Sequence, residues 1–384
     1  MGRVRSLLVI LLLLLLPTVA SASEAEAPWY EHLRIRGYTQ VRYNRFFANN
    51  PELVNVQADR TIGGEGQTFL VRRARLIVQG SVTSQVQVYL QTDAATLLSD
   101  NTHVVTMRDW YADLFLTPAK EARVRVGVSK VPFGFENMQS SQNRLPIDRT
   151  DAINSGAANE RDLGAYFYYA PTWARHLFKR LVDDGLKGSG DYGLLALGVY
   201  AGQGANKLEG NGTVHAIARV SVPLVLGHQI LELGVGGYAG KFTVKKDKDV
   251  KGPDDPRDIR AALGFTLYPQ PLLVQGEYTV GIGPELDRAK KLVRERFLHG
   301  GYLLVGFRVE PLIPYARFQV YEGGKKFETN APHYSVRELE VGVEAHLGKA
   351  VELVGAWVEA RRTNPTTGND EYGRLLRLQV QVNY

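Results

Sequence analysis

Arginine carries most of the chemistry legible in this sequence. Arg34, Arg36, Arg42, Arg73, Arg75, Arg123, Arg125 and Arg377 stand on the polar side of segments in which apolar and polar residues alternate. A period of two sends one set of side chains to each face of a sheet, so these guanidinium groups share one face. A guanidinium stays charged and offers a fork of donors that replaces part of an anion's hydration shell. The implied chemistry is attraction and passage of anions rather than bond-making. His103, His176, His215, His228, His299, His333 and His346 are scattered, with neither H-E-x-x-H nor G-x-S-x-G around them. Acid pairs such as Glu338/Glu340 have no His–carboxylate cluster to close a metal site. Gly234, Gly236, Gly237 and Gly240 lie inside a strand with no helix after them, so packing or curvature explains them better than phosphate binding. No catalytic residue, metal, cofactor or nucleic-acid partner is expected.

The elements that position these arginines follow from the same alternation. Between residues 33 and 384, sixteen alternating segments are joined by connections of alternating length. Ser81–Thr83, Pro118–Glu121, Leu224–His228, Gln270, the neighbourhood of Pro311 and Gly348–Lys349 are short; Lys245–Pro256 and Pro284–Glu295 are long. This parity predicts an all-β, transmembrane, antiparallel up-and-down barrel of about 16 strands. Both chain termini then lie on the periplasmic side, with long loops outside. One connection, Pro171–Asp191, is long on the wrong side. In the last segment Leu376, Leu378, Val380, Val382 and Tyr384 oppose Arg377, Gln379, Gln381 and Asn383, and Val124, Val126 and Val128 oppose Arg123 and Arg125. Asp93, Asp109, Asp113, Glu232, Glu277, Glu338, Glu340, Glu344 and Glu359 join the charged face by parity. So many carboxylates in a dry core are prohibitive, so that face meets water and the other meets lipid.

In a closed barrel the last, first and second strands are neighbours, and their arginines form a basic stripe down one wall. Two readings of the stripe remain open. It attracts anions, or it pairs with the carboxylates and stiffens the wall of a general pore. Across ~8 Å one charge exerts about 0.5 kcal/mol at water's dielectric and about 2 kcal/mol at an effective value near 20. Selectivity therefore needs several arginines converging at a narrow point. Tyr30, Tyr43, Trp110, Trp357 and Tyr384 lie near strand ends, where an aromatic girdle sits. The charged stretch 245–258 is expected to be a solvated outer loop, and Leu286–Phe297 a short amphipathic helix.

The N-terminal Arg3 and Arg5, the apolar run Leu7–Leu16 and the A-x-A spacing of Ala20 and Ala22 form a secretory signal, expected to be cleaved after Ala22. The domain reading is a signal peptide over 1–22, a short periplasmic segment over 23–32 and an outer-membrane barrel over 33–384. The chain has 384 residues, no Cys and a formal net charge of +6, so no disulfide staples the fold. A hydrophobic content of 44% fits a membrane barrel and a soluble β-protein equally well.

The stretch from Phe69 to Tyr169 carries FLVRRARLIVQG, RDWYADLFLTP, RVRVGVSKVPFGFENMQSSQNRLPIDRTDAI and RDLGAYFYY. It resembles the phosphate-selective porin O and P family of Gram-negative outer-membrane proteins. The resemblance implies a sixteen-stranded barrel, a homotrimer, and a third outer loop folded inward to narrow the pore, here about 132–160. That constriction loop brings Glu136, Arg144, Asp148, Arg149 and Asp151, with Lys130 at its root, so the sign of charge at the narrowest point stays open. Terminal Tyr384 looks like the signal read by barrel-assembly machinery. Phosphate-specific members are dense in Lys as well as Arg, whereas here every Lys falls in a loop, turn or strand end, so the lumenal cations are expected to be Arg. The expected function is passive diffusion of small hydrophilic solutes across outer-membrane lipid, with a weak preference for anions, phosphate among them. The alternatives are a non-selective porin and a non-conducting structural or adhesive barrel.

Overall fold

The computed structural model of the chain describes residues 28–47, 66–97, 102–157, 161–364 and 367–384. The signal peptide and its cleavage site lie outside the described residues, as do 158–160 of the third outer loop. Sixteen strands follow in order: β1 (Arg34–Phe46), β2 (Gln67–Ser81), β3 (Val86–Leu97), β4 (Thr102–Phe115), β5 (Ala122–Lys130), β6 (Arg161–Tyr169), β7 (Leu195–Tyr200), β8 (His215–Leu226), β9 (Gln229–Lys241), β10 (Arg257–Leu267), β11 (Leu272–Asp287), β12 (Leu292–Phe307), β13 (Leu312–Gly324), β14 (His333–Leu347), β15 (Val351–Thr363) and β16 (Asp370–Asn383). Each pairs antiparallel with its sequence neighbours. β1 closes on β16 with Gln40 opposite Gln381 and Arg42 opposite Gln379, so the sheet has no free edge.

The alternation sorts as the pleat requires. Val126 is 49% exposed on the outer face, whereas Arg125 beside it is 4% exposed within the barrel. Trp110, Trp357, Tyr30 and Tyr384 are exposed as well. No helix among the described residues is long and apolar enough to cross a membrane.

Glu359 departs from the parity reading. On β15 the inward set is Val354, Ala356, Val358 and Ala360, all buried and small or apolar: the first two cluster with Leu145 and Ile147 of the first inner connection, the last two with Leu375 on β16. Glu359 therefore faces outward, where it accepts a hydrogen bond from Tyr372 Oη at 2.9 Å and sits 3.4 Å from Arg374 Nε. Leu286–Phe297 is not a helix. Leu286 pairs with Val293 and Gly283 with Arg296 across a tight β11–β12 turn, so cross-strand pairing overrides the helical spacing.

Two connections run inside the barrel. The first, Val131–Ala157 between β5 and β6, holds two short helices, α1 (Phe135–Met138) and α2 (Asp151–Gly156). The second, Pro171–Leu194 between β6 and β7, holds α3 (Thr172–Asp183). Ala174, Leu177, Phe178 and Leu181 recur at helical spacing and bury one face of α3 against Phe135, Ile230 and Tyr268.

Candidate functional site

The first inner connection is seated by carboxylates of the wall and by its own. Glu277 on β11 accepts the backbone N–H of Phe135 at 2.5 Å and that of Glu136 at 3.3 Å, satisfying two donors at the start of α1. Gly134 makes the approach possible. Its φ is +72°, and a Cβ there would lie 2.3 Å from Glu277 Oε1. Gly134→Ala is expected to displace this carboxylate and loosen the connection, costing about 1–3 kcal/mol from the left-handed backbone alone. Urea titration of the folded, heat-modifiable band on gels checks it, together with single-channel noise.

Glu136 in turn accepts the N–H of Thr150 at 2.9 Å, its hydroxyl at 2.7 Å, and Arg317 Nη1 on β13 at 3.2 Å. Asp151 pairs with Arg362 on β15 at 3.0 Å. Asp148 collects Arg42 at 3.3 Å, Arg72 at 3.7 Å, Arg73 at 4.0 Å, and Arg377. Burial works to raise the Asp148 carboxyl, but Arg377, Arg42, Arg72 and Arg73 outweigh it and hold the group well below the ordinary carboxylate range. Arg75 is bonded to Asp93 at 3.1 Å, Tyr38 Oη at 2.8 Å and Ser141 Oγ at 2.9 Å. Lys130 donates to the carbonyls of Met138 and Gln139, and Arg149 to Asn137. Arg144 is buried in the same connection. Three arginines of the basic stripe, Arg42, Arg73 and Arg377 from β1, β2 and β16, thus neutralise Asp148 of this segment.

Several cations were not singled out by sequence. Arg317, Arg362, Arg260, Arg219 and Arg161 line the interior and were legible in principle from the alternation of their strands. Arg72 and Arg108 gave no such signal. Each is the extra residue of a bulge, opposite Gln40/Val41 and Gln91/Thr92, so the parity count slips by one there. The expectation of arginine alone inside also needs correcting. Lys187 pairs with Glu344, and Lys326 with Asp258, each reaching inward from a connection. His346, Glu344 and Glu352 do converge, within 4.8 Å of one another, but the Lys187 ammonium already supplies the cation there.

The second inner connection crosses the barrel. Lys187 reaches Glu344 on β14, while Asp191 takes Arg123 Nη1 on β5 at 3.2 Å. Five residues thus tie walls seven strands apart in a sixteen-strand ring. From the other inner segment, Gln139 Nε2 donates to the Lys187 carbonyl at 2.7 Å and Asn143 Nδ2 to that of Gly188 at 3.3 Å. The two segments therefore brace each other inside the lumen.

Open space lies along the β1–β5 wall, against the two inner segments. Two adjoining cavities of about 380 and 520 Å³ share Arg36, Tyr89, Tyr111, Arg125 and Asp191. The 380 Å³ cavity presents Arg36, Arg125, Lys130 and Arg161 against Asp109 and Asp191. The other presents Arg36, Arg123, Arg125, Arg175 and Lys179 against Asp113, Asp183 and Asp191. Arg125 is held fork-to-fork by Asp113 at 2.8 and 2.9 Å, and Arg161 by Asp109 at 2.9 Å. Arg36 is exposed in these cavities and has no ion-pair partner among the described residues. Arg34 lies beyond them at the N-terminal rim of the barrel beside Trp29, Glu31 and His32.

The family model for phosphate-selective porin O and P matches residues 53–384. The chain belongs to that family. This porin is similar in fold to the outer-membrane channel DcaP of Acinetobacter baumannii at 13% identity, over 95% of this chain and 100% of that one, with a TM-score of 0.57. It is also similar to OmpF of Salmonella typhi, solved in complex with daunomycin, at 11% identity over 92% and 97% of the two chains, with a TM-score of 0.56. An anion-selective porin from Comamonas acidovorans matches at 10% identity over 92% and 99%, with a TM-score of 0.53. No curated protein matches the sequence. Family and fold together make this an outer-membrane porin, a channel rather than an enzyme.

Proposed function

We propose that this porin passes small hydrophilic solutes with a weak preference for anions, along a passage bounded by the β1–β5 wall and the two inner segments. The observation that carries the reading is the excess of cations over carboxylates in both cavities, with Arg36 left un-neutralised at their junction. Arg42, Arg73 and Arg377 serve chiefly to hold the first inner segment, which acts as the constriction. Arg123, Arg125 and Lys130 line or root the passage while paired, so their fields are partly cancelled. Arg34 adds positive charge at the periplasmic mouth. Phosphate is one anion that such a passage admits. Export through the signal peptide, assembly through Tyr384 and a homotrimeric state belong to the same reading, and cross-linking of the detergent-extracted protein tests the last.

The decisive measurement is the reversal potential in a KCl gradient across a planar bilayer, which should lie on the anion side. Arg36→Glu changes the local charge by two and is expected to shift the permeability ratio roughly fivefold toward cations, about 1 kcal/mol. A wild-type reversal potential of zero would favour a general porin instead. A cation-side value would reject the reading.

A further inference from the structure

The aromatic residues of the passage form an ordered stack. Arg125 lies 3.7 Å from the ring centroid of Tyr111, and Tyr89 stacks on that ring with centroids 5.0 Å apart and planes 8° from parallel. Gly127 opposite Tyr111 carries no side chain to interrupt them. The stack runs around the wall from β5 through β4 to β3. It ends on Tyr89, and among the described residues no other ring or guanidinium stacks on that residue. Next along the wall, β2 contributes Gln79 opposite Tyr89 and Ile77 opposite Arg36, so the exposed guanidinium of Arg36 lies two strands beyond the last ring. The Tyr89 hydroxyl is turned along its own strand to Gln91, at 3.0 Å.

The geometry points to a binding site for planar aromatic carboxylates in this passage. It rests on the anion reading above and narrows it to a class of solute. A guest ring lying on Tyr89 continues the stack, Ile77 covers its apolar edge, and its carboxylate meets the fork of Arg36. An inorganic anion gains only the guanidinium. A saturated ring of the same charge and size gains the guanidinium and the apolar contact but not the stacking.

Benzoate and cyclohexanecarboxylate, each titrated against the chloride current of single wild-type channels, separate these contributions. Benzoate should reach half-block at a concentration about fivefold lower than cyclohexanecarboxylate, and lower still than acetate or inorganic phosphate. Tyr89→Leu, checked for folding by heat-modifiable mobility, should bring the ratio of the two ring acids to about 1. Arg36→Gln should weaken block by both. Equal block by the two ring acids, or a ratio that survives Tyr89→Leu, overturns the ring site. With the KCl reversal potential still on the anion side, that result leaves the anion reading standing. A cation-side reversal potential overturns both.

Discussion

Asp148→Asn is expected to cost this porin about 3–5 kcal/mol, the range for removing one partner of a buried charge cluster. The carboxylate stands among Arg42, Arg72, Arg73 and Arg377, and without it four like charges face one another across the β16–β1–β2 seam. The first inner segment then loses its seat on that wall, though Glu136 on Arg317 and Asp151 on Arg362 remain. Unfolding in urea, followed by the mobility of the unheated protein on gels, should move to lower denaturant. The reversal potential should move further toward anions, because the loss of one negative charge leaves the interior more positive. An unchanged urea midpoint would show that the cluster contributes no stability. The pH dependence has a definite sign. A carboxyl whose folded-state value is depressed contributes fully above the ordinary carboxylate range, near 4, and its contribution is lost only as pH falls through the depressed value. The wild-type seat should therefore survive mild acid.

Replacing residues 173–190 by a two-residue Asn–Gly turn is expected to at least about double the single-channel conductance. The segment removed includes a helix about 10 Å across, and the strap that ties Glu344 on β14 to the β5 side leaves with it. Conductance follows the open cross-section, so removal of an internal strut should register directly. Lys187→Met is the milder version. It frees the β14 end alone and should raise current noise more than mean conductance. An unaltered conductance in the deletion variant would mean that the first inner segment alone limits flow.

The lesson from these two segments concerns what a local pattern can carry. Alternation made the barrel, its strand number and the lumenal side of Arg42, Arg73, Arg125 and Arg377 legible, because a pleated strand has only two faces. It failed at Glu359, where a buried packing partner reversed the polarity of β15. It failed again at Arg72 and Arg108, where a bulge shifts the count. The family motif around Gly134 and Glu136 marked the right loop, but nothing in the sequence says that Glu277, on a strand 141 residues further on, would cap it.

The sequence by itself determined the closed sheet, which face turns outward, and the supply of charges inside, since all three follow from residue type at a spacing of two. Only the tertiary structure decided how those charges are spent. Whether a guanidinium attracts a passing anion or anchors a loop depends on which carboxylate lies within about 4 Å of it. Asp148, Glu136 and Asp151 reach their arginines from a connection whose path no periodicity encodes, as does Lys187 from the strap across the mouth. Arg36 escaped pairing for the same reason: among the described residues, neither inner segment delivers a carboxylate to it.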